Sequence, residues 1–226
     1  TLATLPMWWQ HGLPEEDGLF DARARSSGAV TRTVAVVAYP RISNLDEFQP
    51  LHNVPGLRLL WARRPADLAG LQARDWVILP GSKHTSADLA WLRQQGLDAA
   101  IARHVQQGGA LLGICGGLQM LGEAMIDLHG IDGNAPGLGL LPLVTQVAAD
   151  KTVQKTTARF GALTGPWAAL SGVAVSGYEI HHGQSQGHSA MLAAGHTLHE
   201  VMPGLAWQDG SGQVLGTYLH GLFEQP

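Results

Sequence analysis

The first half of the chain alternates between short apolar runs and amphipathic stretches. Thr33-Val34-Ala35-Val36-Val37-Ala38-Tyr39 is apolar and rich in β-branched residues, which predicts a buried strand. Pro40 stops it; Arg41 to Asn44 read as a loop and Leu45 to Leu51 as a short helix. Leu57 to Trp61 and Trp76 to Leu79 predict two further strands, with a short helix around Asp67, Leu68 and Leu71 between them. Thr85 or Ser86 is expected to cap a helix carrying Leu89 and Leu92 and running on, after Gly96, through Leu97, Ile101 and Val105. Leu111 to Cys115 predicts a fourth strand. Strands alternating with helices predict an α/β fold with a parallel sheet covered on both faces. Ligands in such sheets sit beyond the carboxyl ends of the strands. Pro80-Gly81-Ser82 and Cys115 both fall there.

After Gly122 the pattern changes. Gly130 to Gly139 is a glycine-rich loop. Leu141–Ala148, Lys151–Gly161, Val173–His182, Ser189–Ala193 and Gly204–Trp207 read as short strands with turns between them. Val214 to Leu219 predicts a last strand, delivering His220. The second half is expected to extend the same core, with some additional antiparallel strands. Residues 1–32 read differently: Leu5-Pro6-Met7-Trp8-Trp9 is an apolar knot, and Ala22 to Gly28 has the small polar composition of a linker. The chain starts at Thr1 with no methionine and reads as a piece of something longer.

Composition narrows the classes of function. A net charge of −4 argues against nucleic acid or an anionic membrane as partner. No apolar run approaches the ~20 residues of a membrane span, and the cytosol is the expected location. Charged residues make up 14%, against ~25% in a typical domain, so either part of the surface is covered by another domain or it is polar without charge. A single cysteine, Cys115, leaves no internal disulfide. His181, His182, His188 and His196 have no common zinc spacing, and no metal is expected.

Cys115 carries the candidate chemistry. It sits between an apolar run of strand length and Leu118, Met120, Leu121, Ala124 and Met125, whose spacing suits one helix face. A lone cysteine is most often a small buried hydrophobe. The glycines at 113, 116 and 117 argue for a sharp strand-to-helix turn instead, which lifts the side chain out of the sheet and leaves room for substrate. The N–H groups of the helix start would favour a thiolate. Gln119, one turn on, can reach back to the same mouth.

Gly113-Ile114-Cys115-Gly116-Gly117-Leu118-Gln119 resembles the nucleophile motif of the triad-type, or class I, glutamine amidotransferases. Pro40 to Asn44, Leu79 to Thr85, Gly177 to Gly183 and Gly216 to Glu224 follow in an order similar to the glutaminase domains of the cobyric and cobyrinic acid synthase subgroup. The resemblance covers residues 33–226. It implies a flavodoxin-like, mostly parallel sheet. It also implies that residues 1–32 are the tail of a preceding ATP-using synthetase domain plus a linker, and 33–226 the amidotransferase domain. Glutamine would be hydrolysed through a thioester on Cys115, and the ammonia used to amidate carboxylates of a corrin ring. No cofactor is expected in this domain; ATP and Mg²⁺ would belong to the synthetase domain, its partner.

Of the 11 histidines His220 is the best base, since it follows a buried strand and precedes a glycine; the resemblance points to it too. Backbone N–H groups of Gly116 and of Gly81 and Ser82 would form the oxyanion hole. Gln119 would bind substrate. Glu179 to His182 would form a lip of the site, and Arg41 and Lys83 would lie on its rim. Many class I enzymes carry glutamate two residues after the histidine, but position 222 is leucine. The orienting carboxylate is therefore left between Glu224 and Glu179, with a Cys–His dyad as the other choice. The readings left open are a cobyrinic acid a,c-diamide synthase, a lipid II amidotransferase, a cysteine hydrolase with a similar elbow, and a non-catalytic regulatory domain.

Overall fold

The apolar runs form the strands they predict, and a period-two alternation sorts their side chains onto two faces. The computed structural model describes residues 29–224. The Leu5–Trp9 knot and the Ala22–Gly28 linker lie outside the described residues. In β1 (Arg32–Val37), Ala35 and Val37 join one apolar cluster while Val34 and Val36 join another. The same split separates Val77 and Leu79 from Ile78 in β3 (Trp76–Leu79), and Leu111 from Leu112 and Ile114 in β4 (Ala110–Ile114). Both sets are buried, so the runs are continuously apolar although they alternate in direction.

With β2 (Leu57–Ala62), β9 (Leu198–Met202), β10 (Ala206–Asp209) and β11 (Val214–Thr217) these make a seven-stranded sheet in the order β2-β1-β3-β4-β11-β10-β9. The first five pair in parallel and the last two are added antiparallel. The order of the parallel part is that of flavodoxin-like folds. Four α-helices cover one face: α1 (Pro65–Leu68), α2 (Thr85–Gln94), α3 (Leu97–Gln106) and α4 (Gly116–Leu121), through Leu68, Leu89, Leu92, Leu97, Ile101 and Leu118. The other face is closed by two 3₁₀ segments, Leu45–Asn53 through Phe48 and Leu51 and Gly165–Leu170 through Trp167. Both faces are covered as expected, but among the described residues the long helices gather on one.

The structure departs from the sequence reading in several places. The two strands expected over Leu141–Ala148 and Lys151–Gly161 are one 17-residue strand, β7 (Leu143–Arg159), whose register shifts between Val147 and Thr152. The charged Asp150-Lys151 pair lies in that irregularity, where pairing is interrupted. Ser189–Ala193 is helix α5, not a strand. Its N-terminal backbone is capped by the His188 ring, a signal that alternation does not carry. The helix expected from Thr85 to Val105 is broken into α2 and α3 at Gly96, whose φ of +73° a helix cannot hold. β7 pairs with β8 (Ala174–Gly187), which pairs in turn with β12 (Leu219–His220); β5 (Ala124–Asp127) and β6 (Ala135–Pro136) complete a second sheet, β12-β8-β7-β5-β6. Among the described residues no helix is long and apolar enough to cross a membrane.

Gly117, at the start of α4, lies against the backbone of β3: an added Cβ would collide with the Leu79 carbonyl group. Neither backbone can yield without moving a central strand. Gly117→Ala is expected to cost about 3 kcal/mol or more, read as a lowered urea midpoint with an unchanged slope.

Candidate active site

Cys115 joins β4 to α4 at φ +52° and ψ −107°, outside the ordinary regions for a residue with a Cβ. Its backbone is tied on both sides: its N–H donates to the Thr217 carbonyl (2.7 Å), and its carbonyl accepts the Gln119 N–H (3.1 Å). Glycines on either side make the turn feasible. A Cβ at Gly113 would strike Leu121 and Gly117, and one at Gly116 would come within 2.9 Å of the Ser82 nitrogen. The strand-end loop Pro80-Gly81-Ser82 is thereby pressed against the residue following the cysteine. The Tyr39 hydroxyl, from two residues beyond β1, holds that loop by donating to the Pro80 carbonyl.

The His220 ring reaches the cysteine from β12, near enough for the sulfur to favour the charged imidazole. The thiol also lies 3.4 Å from the Ile180 carbonyl in β8. His220 is 3% exposed, and a Cβ at Gly81 would sit 2.7 Å from its Cε1. Its Nδ1 faces Glu47 Oε1 at 3.4 Å, and the Gly221 N–H donates to Glu47 Oε2 at 3.1 Å. Glu47 is 1% exposed. The structure thus brings together Cys115, His220, Gly81, Ser82 and Gly116 as expected, but the carboxylate on the histidine is neither Glu224 nor Glu179. Glu224 lies on the exposed surface beyond Gly221. Glu179 faces the other way across β8, accepting from Thr156 and Gln154 (2.8 Å). Burial works against its ionisation, but hydrogen bonds from Thr156 and Gln154 and the nearby His181 ring hold its carboxyl below the usual range. Glu47 escaped the sequence reading because it is 173 residues from its histidine. Its one local signal is that it precedes Phe48 on the inward side of a short helical turn.

Burial disfavours a charged imidazole, yet the Cys115 sulfur and the Glu47 carboxylate outweigh it and raise His220 to about 10.

Gln119 is 6% exposed, and its Oε1 accepts from the Thr85 hydroxyl at 3.2 Å. Nearby, the Tyr218 hydroxyl bonds Ser185 (2.6 Å), which bonds Thr145 in turn (2.7 Å). His181 stacks on Tyr218 at 3.9 Å and lies 3.5 Å from Glu179, so the expected lip is a wall of the second sheet. Arg41 is tied to a structural partner: its guanidinium is 3.6 Å from Asp88, which also accepts the Ser82 hydroxyl at 2.6 Å. Burial lifts Asp88 above the usual carboxylate range despite these partners. Among the described residues no three His, Cys, Asp or Glu side chains converge to hold a metal ion.

A strained cysteine at the carboxyl edge of a flavodoxin-like sheet, a buried His–Glu pair on it and glycine N–H groups around it define an acyl-transfer site of amidotransferase type. The comparisons agree. The chain belongs to the CobB/CobQ-like glutamine amidotransferase domain family, whose model matches residues 33–226. It is 72% identical to cobyric acid synthase of Polaromonas naphthalenivorans (strain CJ2), over 100% of this chain and 47% of that protein. It is 71% identical to cobyric acid synthase of Variovorax paradoxus (strain S110), over 99% of this chain and 46% of that one. The chain thus spans about half the length of these relatives. Among solved structures, a glutamine amidotransferase superposes with a TM-score of 0.58 at 18% identity, covering 83% of this chain and 89% of that one. PurLQS from Thermotoga maritima superposes with 0.59 at 15%, covering 84% and 87%. Both share the fold.

Two measurements check the geometry. Since His220 is raised from 6.5 unfolded to about 10 folded, its stabilisation is complete below about pH 6.5 and is lost as pH rises through about 10. Glu47→Gln should therefore lower stability more at about pH 6 than at about pH 10.5 in paired urea titrations. At the elbow, Cys115→Gly should be more stable than Cys115→Ala by about 1 kcal/mol, because only alanine keeps the strained Cβ; thermal unfolding of the two variants decides it.

Proposed function

We propose that this chain is the glutaminase domain of a cobyric acid synthase, supplying ammonia for ATP-dependent amidation of corrin side-chain carboxylates. The observation that supports the reaction is the Cys115–His220–Glu47 line, drawn from the β4–α4 elbow, β12 and the 3₁₀ segment after β1. The choice of acceptor rests on the name carried by relatives about 70% identical over the whole chain.

Cys115 attacks the side-chain amide carbon of glutamine. The carbonyl oxygen gains the negative charge, met by N–H groups of Gly116 and of Gly81 or Ser82; such donors are worth roughly 3–4 kcal/mol each. The intermediate collapses as the C–N bond breaks, with His220 passing its proton to the departing nitrogen, so that ammonia leaves and a glutamyl thioester remains on Cys115. His220 then takes a proton from water; the hydroxide adds to the thioester carbon, and the C–S bond breaks to release glutamate. Glu47 keeps the ring turned so that Nε2 faces the sulfur and Nδ1 the carboxylate. Gln119 holds the substrate. ATP and Mg²⁺ would act in the other half of the longer protein, an N-terminal synthetase domain. A lone reduced thiol as nucleophile suits the cytosol. Ile126, Leu128 and Ile131 are exposed apolar residues on and beside the loop after β5, with Leu128 86% exposed, and they suit cover by that domain.

The test is ammonia release from glutamine by the full-length protein with ATP and acceptor. Cys115→Ser should lose at least about 1,000-fold. Glu47→Ala should lower kcat by about 100-fold or more with a smaller change in KM. Covalent labelling of the protein by a glutamine analogue at a residue other than Cys115 would sink the reading.

A further inference from the structure

The start of α2 is held by a residue that neither the motifs nor the catalytic line includes. The first N–H groups of any helix lack partners inside it. Here the N-cap residue, His84, makes no side-chain capping bond. Asp132 serves instead, from a loop 47 residues away: its carboxylate accepts the N–H of Thr85 at 2.9 Å and of Ser86 at 2.7 Å. The Ser86 hydroxyl returns a bond to the Asp132 carbonyl, and the His84 ring lies 3.2 Å from the carboxylate. A local Ser, Thr or Asp would have capped the helix as well. A distant cap does something more, because it ties the glycine-rich loop to the substrate side of the site.

Both ends of that tie are firm. At the loop end, Asp127 accepts the N–H groups of His129 (2.9 Å), Asp132 (2.8 Å) and Gly133 (2.7 Å). The N–H of Gly133 first, and those of Asp132 and His129 with it, hold the Asp127 carboxyl down at about 2. Asp127 therefore stays ionised and keeps accepting these bonds across the working pH range. At the other end, Thr85 is 3% exposed and its hydroxyl donates to Gln119 Oε1. With Oε1 taken, the amide nitrogen of Gln119 is turned toward Gly183, where an added Cβ would collide with it. Thr85 therefore selects which end of the Gln119 amide faces β8 and the mouth of the site.

We propose that Asp132 is a positioning residue for glutamine binding: by fixing the first turn of α2 it makes Thr85 hold Gln119 in its substrate-facing orientation. The inference rests on reading the site as a glutaminase. Asp132 touches no reacting atom, so its removal should weaken substrate capture and leave the nucleophile alone.

The experiment uses full-length protein with Asp132→Ala, Asp132→Asn, Thr85→Val, Thr85→Ser and the double variant Asp132→Ala/Thr85→Val. Two quantities are read: KM and kcat for glutamine hydrolysis, and the glutamine concentration that half-protects Cys115 from iodoacetamide, followed at its peptide by mass spectrometry. Asp132→Ala and Thr85→Val should each raise KM and the half-protection concentration about tenfold, the effect of losing one or two hydrogen bonds. The alkylation rate without glutamine should stay within about twofold of the parent. The double variant should be no worse than either single one, since both break the same chain. Thr85→Ser should bind like the parent, and Asp132→Asn, which keeps one acceptor oxygen, should fall between parent and Asp132→Ala; it carries the test if Asp132→Ala fails to fold. Unchanged protection in the Asp132 variants, additive losses in the double variant, or altered alkylation without glutamine would each overturn the role given to Asp132. Failure of glutamine to protect Cys115 in the parent is a different result, and it would overturn the glutaminase reading instead.

Discussion

A cysteine held at positive φ costs on the order of 1–3 kcal/mol, and the surrounding fold must hold it there. Everything near Cys115 serves that constraint. β4 and β11 fix its N–H, α4 fixes its carbonyl, and glycines at 113, 116 and 117 let β3 and the helix close to distances no side chain would allow. The strain lifts the sulfur off the end of the sheet, where an imidazole can meet it.

The second constraint is electrostatic. Glu47, His220 and Cys115 are all nearly out of water, so none of their charges is stable by itself. Each is tolerable because the next one faces it. The raised His220 expresses that mutual dependence: the sulfur and the carboxylate both favour the charged ring against the cost of burial. The carboxylate comes from a 3₁₀ segment after β1, not from the strand end that carries the histidine, so the departure at position 222 is compensated in space.

The two sheets divide the labour. The parallel sheet presents the cysteine, the Pro80–Ser82 loop and the approach to β12. The second sheet lays β8 across them, so that Ile180 meets the sulfur, Gly177 backs the His220 carbonyl and Gly183 backs Gln119. Glycine recurs at these crossings because a Cβ at either position would collide with the neighbouring residue. The loop after β5 then joins this wall to α2 through Asp132, making one connected frame.

By itself, the sequence determined the strands of the parallel sheet, the elbow at Cys115 and the histidine at the last strand end. These depend on local rules: apolar runs of strand length, glycines where the backbone must turn or approach, and the reach of one strand. Family resemblance added the reaction and the pairing of Cys115 with His220. Only the tertiary structure decided that Glu47, and neither Glu179 nor Glu224, meets the histidine. The same holds for Asp132 capping α2 and for the merging of two expected strands into β7. The reason is physical. Each of these contacts joins residues far apart in the chain, and an acidic side chain looks the same in sequence whether it ends in water or against an imidazole. Its environment, not its identity, sets its role, and that environment exists only once the sheets have closed on each other.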